Sequence, residues 1–189
     1  KIENITIHRN CNYGSVLQTY ATQVTFEELG FECETIDFIR ELDTKRGALK
    51  RLKKKSKKLA SNPILLACAK AVMLISYLKK EKTFNAFLNN HVNLSKEAYH
   101  SNQELKDDIP NADAYCTGSD QIWNSFWNEG VEPAYYLDFV PEGAFCFSYA
   151  SSIGHKIADS EKNIISAQLK KYSYLSVRES QSVKSLNDL

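Results

Sequence analysis

The stretch from Ile2 to Phe38 constrains the fold more than any other part of the chain. "IENITIH" (2–8) alternates, with Ile5 and Ile7 on one face, and "NCNYGS" then breaks into a glycine-centred turn. From Ser15 onward Leu17, Tyr20, Ala21 and Val24 recur at helical spacing, Leu29-Gly30 offers a stop, and "CETIDF" (33–38) reads as a second strand. Strand, helix and strand in that order form a βαβ unit, the building block of a parallel sheet. At 189 residues the chain can hold one sizeable α/β domain, or one half of a two-domain enzyme.

Residues 41–90 contain no convincing strand. They read as two or three helices of a helical insertion, taken to extend over about 41–110: a basic one, an apolar one from Pro63 to about Lys80, and "KTFNAFLNNHV" with Phe84, Phe87 and Leu88. Ser101 and Glu104 fit a capping box that opens a short helix ending before Pro110. Three more strands are expected at 112–118, 144–150 and 174–179, with an amphipathic helix over about 160–171, and "AYYLDF" (134–139) reads as a short strand or edge segment.

Polar clusters share one position. His8 to Ser15, Gly118 to Asn124, Ser148 to Gly154 and Arg178 to Ser180 each follow an expected strand. In an open parallel sheet the carboxyl ends of the strands bound the ligand crevice, because the loops there expose backbone amides and helix N-termini.

Net charge is +1, but its distribution is uneven. Residues 45–58 hold nine basic side chains and no acid, leaving 15 basic against 23 acidic residues elsewhere, or −8. A solvated helix face and contact with anionic lipid headgroups are both open readings. No aromatic residue interleaves with the run, so nucleic acid is not the expected partner. The apolar run Ile64 to Leu78 is interrupted by Lys70 and is too short to span a bilayer, though it could lie in the interface. Five scattered cysteines without a CxxC pair suit a reduced, cytoplasmic chain, and four dispersed histidines give no metal-binding cluster. No secretory leader is recognised at the first residue.

"HRNCNYGSVLQTYA" (8–21), "YCTGSDQIWN" (115–124), "YYLDFVPEGAFCFSYASSIG" (135–154) and "YLSVRESQSV" (174–183) resemble, in order and spacing, the bacterial polysaccharide pyruvyl transferase family. The resemblance implies a Rossmann-like parallel sheet flanked by helices, forming the N-terminal domain of a GT-B-like two-domain fold. It also implies an enzyme that moves the enolpyruvyl unit of phosphoenolpyruvate onto a sugar as a cyclic ketal, with no cofactor beyond that co-substrate. Family members continue with a second domain that supplies donor-binding basic residues and a histidine. The chain is therefore expected to be the N-terminal, acceptor-binding half, inactive alone, with a sugar acceptor that a lipid can carry.

Within the matched motifs His8 and Asp120 are the acid–base candidates. Asp120, Gln121 and Asn124 have planar groups suited to adjacent sugar hydroxyls, and Trp123 or Trp127 could stack on a pyranose face. The alternative makes Asp120 a helix cap and Trp123 a core plug. Asn12 and the amides of Gly14 and Ser15 could receive an anion or hydroxyl, or form an ordinary turn. His8 could equally be satisfied by backbone bonds. Arg178 could clamp phosphate or carboxylate, or pair with Glu179. Tyr13, Gln18, Gly118, Ser119, Glu179 and, more weakly, Ser151 and Ser152 complete the substrate-binding candidates. A non-catalytic saccharide-binding domain and a nucleotide-sugar glycosyltransferase remain alternatives.

Overall fold

The computed structural model describes residues 1–55 and 61–189, with the side chains of 53–55 left aside. Six strands, β1 (Ile2–Ile5), β2 (Cys33–Phe38), β3 (Leu94–Tyr99), β4 (Ala114–Thr117), β5 (Phe145–Ser148) and β6 (Tyr172–Tyr174), form one sheet in the order β3-β2-β1-β4-β5-β6. Every pairing is parallel. This is the doubly wound order in which the connection reverses direction between β1 and β4, so their loops diverge and leave a crevice at the carboxyl edge. The expected Rossmann-like α/β class is the one observed.

Helix α1 (Tyr13–Glu28) starts at Asn12, whose side chain accepts from the amides of Gly14 and Ser15. It stops where Gly30, at φ +88°, lets its amide reach Glu27 O and the Phe31 amide reach Phe26 O. That paired closure needs a residue free to adopt left-handed backbone, as the Leu29-Gly30 stop anticipated. Phe26 and the end of α3 (Pro63–His91), through Phe84 and Leu88, cover one side of the sheet. On the other lies the larger core, where Ile5, Ile36, Phe38, Trp123, Tyr135, Leu137 and Ile165 are packed out of solvent.

Two expectations are corrected, and the number of helices left open between two and three is narrowed. Residues 94–99 are not part of a purely helical insertion but edge strand β3, paired with β2. The apolar segment and "KTFNAFLNNHV" are one helix, α3, because no glycine or proline separates them and Leu78 to Thr83 are mostly strong helix formers. "AYYLDF" is not a strand: Pro133–Tyr136 is a 3-10 turn opened by Pro133 and closed by Leu137 at φ 57°, with Tyr135 and Tyr136 buried under the sheet. Tertiary packing overrides the strand-like alternation there. The last strand also ends early, at Tyr174, and only Val177 bridges onward to Ser151.

The basic run forms α2 (Lys45–Lys55) after a 3-10 turn at Glu41–Asp43, and its remainder, 56–58, lies outside the described residues. The Ser101 cap is present on α4 (Asn102–Asp107), with Glu104 reaching back to the His100 amide at 2.7 Å. Helices α5 (Ser125–Asn128), α6 (Asp159–Leu169) and α7 (Ser180–Asn187) complete the chain.

Candidate functional site

The loops after β1, β2 and β4 enclose a cleft of about 440 Å3 at the topological switch point, lined by Asn10, Asn12, Ser15, Arg40, Asp43, Arg51, Asp120, Gln121, Trp127 and Asn128 among others. Its volume falls in the range of small-molecule sites. A groove of similar volume lies at the opposite sheet edge, lined largely by Phe26, Phe31, Phe145, Phe147 and Tyr174, and its charged residues, Lys1 and Asp113, are paired with each other.

Asp120 sits at the centre of the cleft wall. Its Oδ2 accepts from the Ser15 hydroxyl at 2.5 Å and its Oδ1 from the Gln121 amide at 2.7 Å. Each carboxylate oxygen has a second lone-pair position, so the group can still accept from a ligand hydroxyl. Asp120 holds φ 87°, and Cys11 and Ala150, in the loops after β1 and β5, also lie at positive φ. Non-glycine residues pay roughly 1 kcal/mol or more for such backbone, and proteins keep it mainly where function needs the geometry. The loop can approach β1 because Gly118 has no side chain: a Cβ there would lie 2.7 Å from Asn4 Oδ1.

The two tryptophans divide. Trp123 is 1% exposed, donates to Tyr135 O at 2.9 Å and stacks on Tyr136 at 5.5 Å, so the core claims both of its faces. Trp127 is 66% exposed and lines the cleft. The aromatic wall is therefore Trp127, four residues on and within α5, and Asn124 supports it as the cap that accepts from the Trp127 amide at 3.1 Å. Asn124 is itself buried, and its Nδ2 donates to Gln121 Oε1 at 2.9 Å.

Asn12 occupies with its own Oδ1 the amides that an anion was expected to use, at 2.8 Å to Gly14 and 3.3 Å to Ser15. Tyr13 leans on Phe84, and Gln18 turns its amide to Thr6 Oγ1 at 3.0 Å. The Ser119 carbonyl accepts from Thr6 Oγ1. Ser151 and Ser152 are buried, and Ser151 Oγ donates to the carbonyls of Thr117 and Gly118. Asn12 lines the cleft, Tyr13 lies exposed outside it, and Gln18, Ser119, Ser151 and Ser152 hold the loops that shape it.

His8 lies outside it. Its ring is buried, with Nδ1 3.0 Å from Thr6 O and Nε2 3.0 Å from Asp37 Oδ1, and it faces a separate cavity of about 100 Å3. Asp37 also receives Arg9 on both oxygens. Burial alone would raise the Asp37 carboxyl, but the hydrogen bonds from His8 and Arg9 outweigh it and hold the group at about 2.

Arg178 Nε donates to Glu179 Oε1 at 2.9 Å while the side chain stays exposed. Glu179, with Gln121 and His155, borders a smaller pocket of about 210 Å3 that adjoins the cleft through Gln121. Arg40 and Asp43 were not among the residues the sequence suggested. Arg40 is buried, grips Asp43 at 2.7 and 3.0 Å, and reaches Asn128 at 2.5 Å, tying the β2 loop to α5 beneath Trp127. Its signal was present: it follows β2 as the other clusters follow their strands.

No curated protein and no solved structure matches the chain. The family model described as polysaccharide pyruvyl transferase matches residues 12–189, which include all four carboxyl-edge loops from Asn12 onward. With most of its length covered by that match, the chain belongs to the polysaccharide pyruvyl transferase family.

Proposed function

We propose that this chain binds the sugar acceptor of a pyruvyl transfer, in the cleft between the β1 and β4 loops, and that phosphoenolpyruvate is the donor. The observation that carries the reading is the pairing of a carboxylate and amides, Asp120, Gln121 and Asn10, with the exposed indole of Trp127 across one cleft. A pyranose has hydroxyls around its edge and C–H groups on its face, and such a cleft meets both.

The reaction joins two acceptor hydroxyl oxygens to C2 of the enolpyruvyl unit. The donor's methylene carbon gains one proton and becomes a methyl group, the C2–O bond to phosphate breaks, and inorganic phosphate leaves with the second hydroxyl proton. Asp120 is suited to take a proton from an acceptor hydroxyl, since Ser15 and Gln121 fix its carboxylate while leaving lone pairs open. Arg178, exposed at the end of the same sheet edge, and Arg51, which lines the cleft, are the cations available to the donor's phosphate or carboxylate. Arg40 is committed to Asp43 and Asn128, so the described cleft offers few free cations to a trianionic donor. The chain is on this reading an acceptor wall that does not turn over by itself.

The test is saturation-transfer NMR of the chain with a panel of pyranosides, phosphoenolpyruvate and nucleotide sugars. Pyranoside signals lost in Trp127→Ala support the reading. Binding of a nucleotide sugar in preference to phosphoenolpyruvate would move the chain to glycosyl transfer.

A further inference from the structure

We propose that the α2–α3 hairpin is a docking surface for an anionic lipid bilayer, with the cleft beside it. From Pro63 to Leu78 helix α3 carries one charged residue, Lys70, and no acid. Ile64, Cys68, Ala71, Ile75 and Leu78 recur at intervals of four and three, which puts them on one side of the helix. All are exposed, Ile64 at 77% and Ile75 at 71%, and Val72 beside them is 70% exposed. The stripe runs about 21 Å at 1.5 Å per residue, and a chain does not leave that much contiguous apolar helix to water without a partner.

Charge identifies the partner. Lys79 and Lys82 continue the stripe at its C-terminal end, and both are exposed. Next to it lies α2, within the run of nine basic residues and no acid. Glu41 pairs with Lys50 and Arg46, and Glu81 with Lys45, so two acids stand against the nine basic residues of the run. An apolar stripe flanked by cations is what a membrane-surface helix presents to acyl chains and anionic headgroups. A second copy seated through the same stripe would instead bring two strongly cationic segments together. No helix among the described residues is long and apolar enough to cross a membrane, so the hairpin lies on the surface.

The hairpin is fixed to the body and to the site. A Cβ at Gly47 would collide with the Glu41 and Leu42 carbonyls, so α2 sits close on the 3-10 turn, and Tyr77 donates to Asp43 O at 2.9 Å. Arg51 of α2 lines the cleft. A bilayer under the hairpin therefore places the cleft near the headgroups, where an amphiphile's polar end is presented. That last step rests on the proposed acceptor site; docking itself does not.

Cys68 is the exposed cysteine of the five and lies on the stripe, which makes it the labelling point for a polarity-sensitive dye. Dye emission should shift to the blue with phosphatidylcholine vesicles containing about 30% phosphatidylglycerol and stay unchanged with pure phosphatidylcholine. Co-sedimentation with the anionic vesicles should fall roughly tenfold between ~0.05 and ~0.5 M salt. Ile75→Asp should lower it by a similar factor at low salt, with the circular dichroism unchanged because the side chain is exposed, and Lys79→Glu with Lys82→Glu should do the same. Equal sedimentation with both vesicle types, or full binding by Ile75→Asp, overturns the proposal. So does a dimer in sedimentation velocity that Ile75→Asp dissociates without any vesicle binding, which assigns the stripe to a second copy. No substrate enters these measurements, so their failure is separate from failure of the acceptor reading.

Discussion

The Ser15 hydroxyl donates to Asp120 Oδ2 at 2.5 Å, joining residues 105 positions apart in sequence. Ser15 belongs to the first turn of α1 and Asp120 to the loop after β4, so this bond spans the two connections that diverge at the switch point. It locks the carboxylate at the place where an α/β sheet offers its crevice.

Asp120→Asn should separate chemistry from structure. The Asn carbonyl can still accept from the Gln121 amide, and its amide can donate to a Ser15 hydroxyl that rotates to accept. Stability should move by no more than about 1 kcal/mol. Pyruvyl transfer, measured as acceptor-dependent phosphate release in an active preparation, should drop about a hundredfold or more if the carboxylate takes the hydroxyl proton. Unchanged turnover removes Asp120 from that role.

The two tryptophans should respond in opposite ways. Trp123→Ala opens a cavity beside Tyr136 and leaves the Tyr135 carbonyl without its indole donor, so a loss of about 3–5 kcal/mol is expected in urea unfolding. Trp127→Ala removes an exposed ring and should leave the unfolding midpoint nearly unchanged while weakening pyranoside binding. A stable Trp123→Ala variant defective only in binding would reverse the assignment.

Much of the fold was legible because it rests on local patterns. β2 falls on "CETIDF", and α1 ends at Gly30 for the backbone reason the sequence suggested. The carboxyl-edge position of the polar loops also followed from strand order alone. What sequence could not show was which face each side chain takes. Trp123 and Trp127 are four apart in one motif, yet one points into the core and the other into the cleft, because Asn124 turns the chain into α5 between them. β3 escaped notice because "LSKEAY" is a half-exposed edge strand without an apolar run. For His8 the sequence left an acid–base role and a ring satisfied by backbone bonds side by side; the Thr6 carbonyl meets one nitrogen, and the parallel pairing of β1 with β2 brings Asp37 to the other.

A buried carboxyl should set the pH dependence of stability. Glu3, in central strand β1, is fully buried, and burial pushes its carboxyl up to about 8, with Glu34 adding to the rise and Lys1 offsetting part of it. Lys1 Nζ is shared between Glu3 at 2.8 Å and Glu34 at 2.7 Å, so it neutralises neither alone. The folded state then keeps a proton that the unfolded chain releases near its ordinary value of 4.5. This stabilising contribution is complete below that value and is lost as pH rises toward 8, with a slope of at most about 1.4 kcal/mol per unit. Glu3→Gln should flatten the decline in urea midpoint between pH 5 and pH 8. An identical slope in the variant would place the titration elsewhere.

Arg40 and Arg178 are both arginines on the sheet's carboxyl edge, but their partners assign them different work. Arg40 spends its guanidinium on Asp43 and Asn128 and lies over the Tyr135 ring at 5.0 Å, all within the buried wall of the cleft. Removing it leaves Asp43, 6% exposed, without its bidentate partner, so Arg40→Ala should cost about 3–5 kcal/mol of stability. Arg178 is bound to Glu179 through Nε in an exposed pair, a contact that contributes little to folding. Its outer nitrogens remain in position to grip a phosphate or carboxylate in two-point fashion. Arg178→Ala should therefore unfold at nearly the wild-type midpoint and, in an active preparation, raise the KM for phosphoenolpyruvate about tenfold or more while leaving the acceptor KM unchanged. Arg178→Lys should recover only part of the loss, because an ammonium keeps the charge without the planar fork. Donor kinetics unaffected by Arg178→Ala would remove Arg178 from donor binding and turn attention to Arg51, the other cation at the cleft.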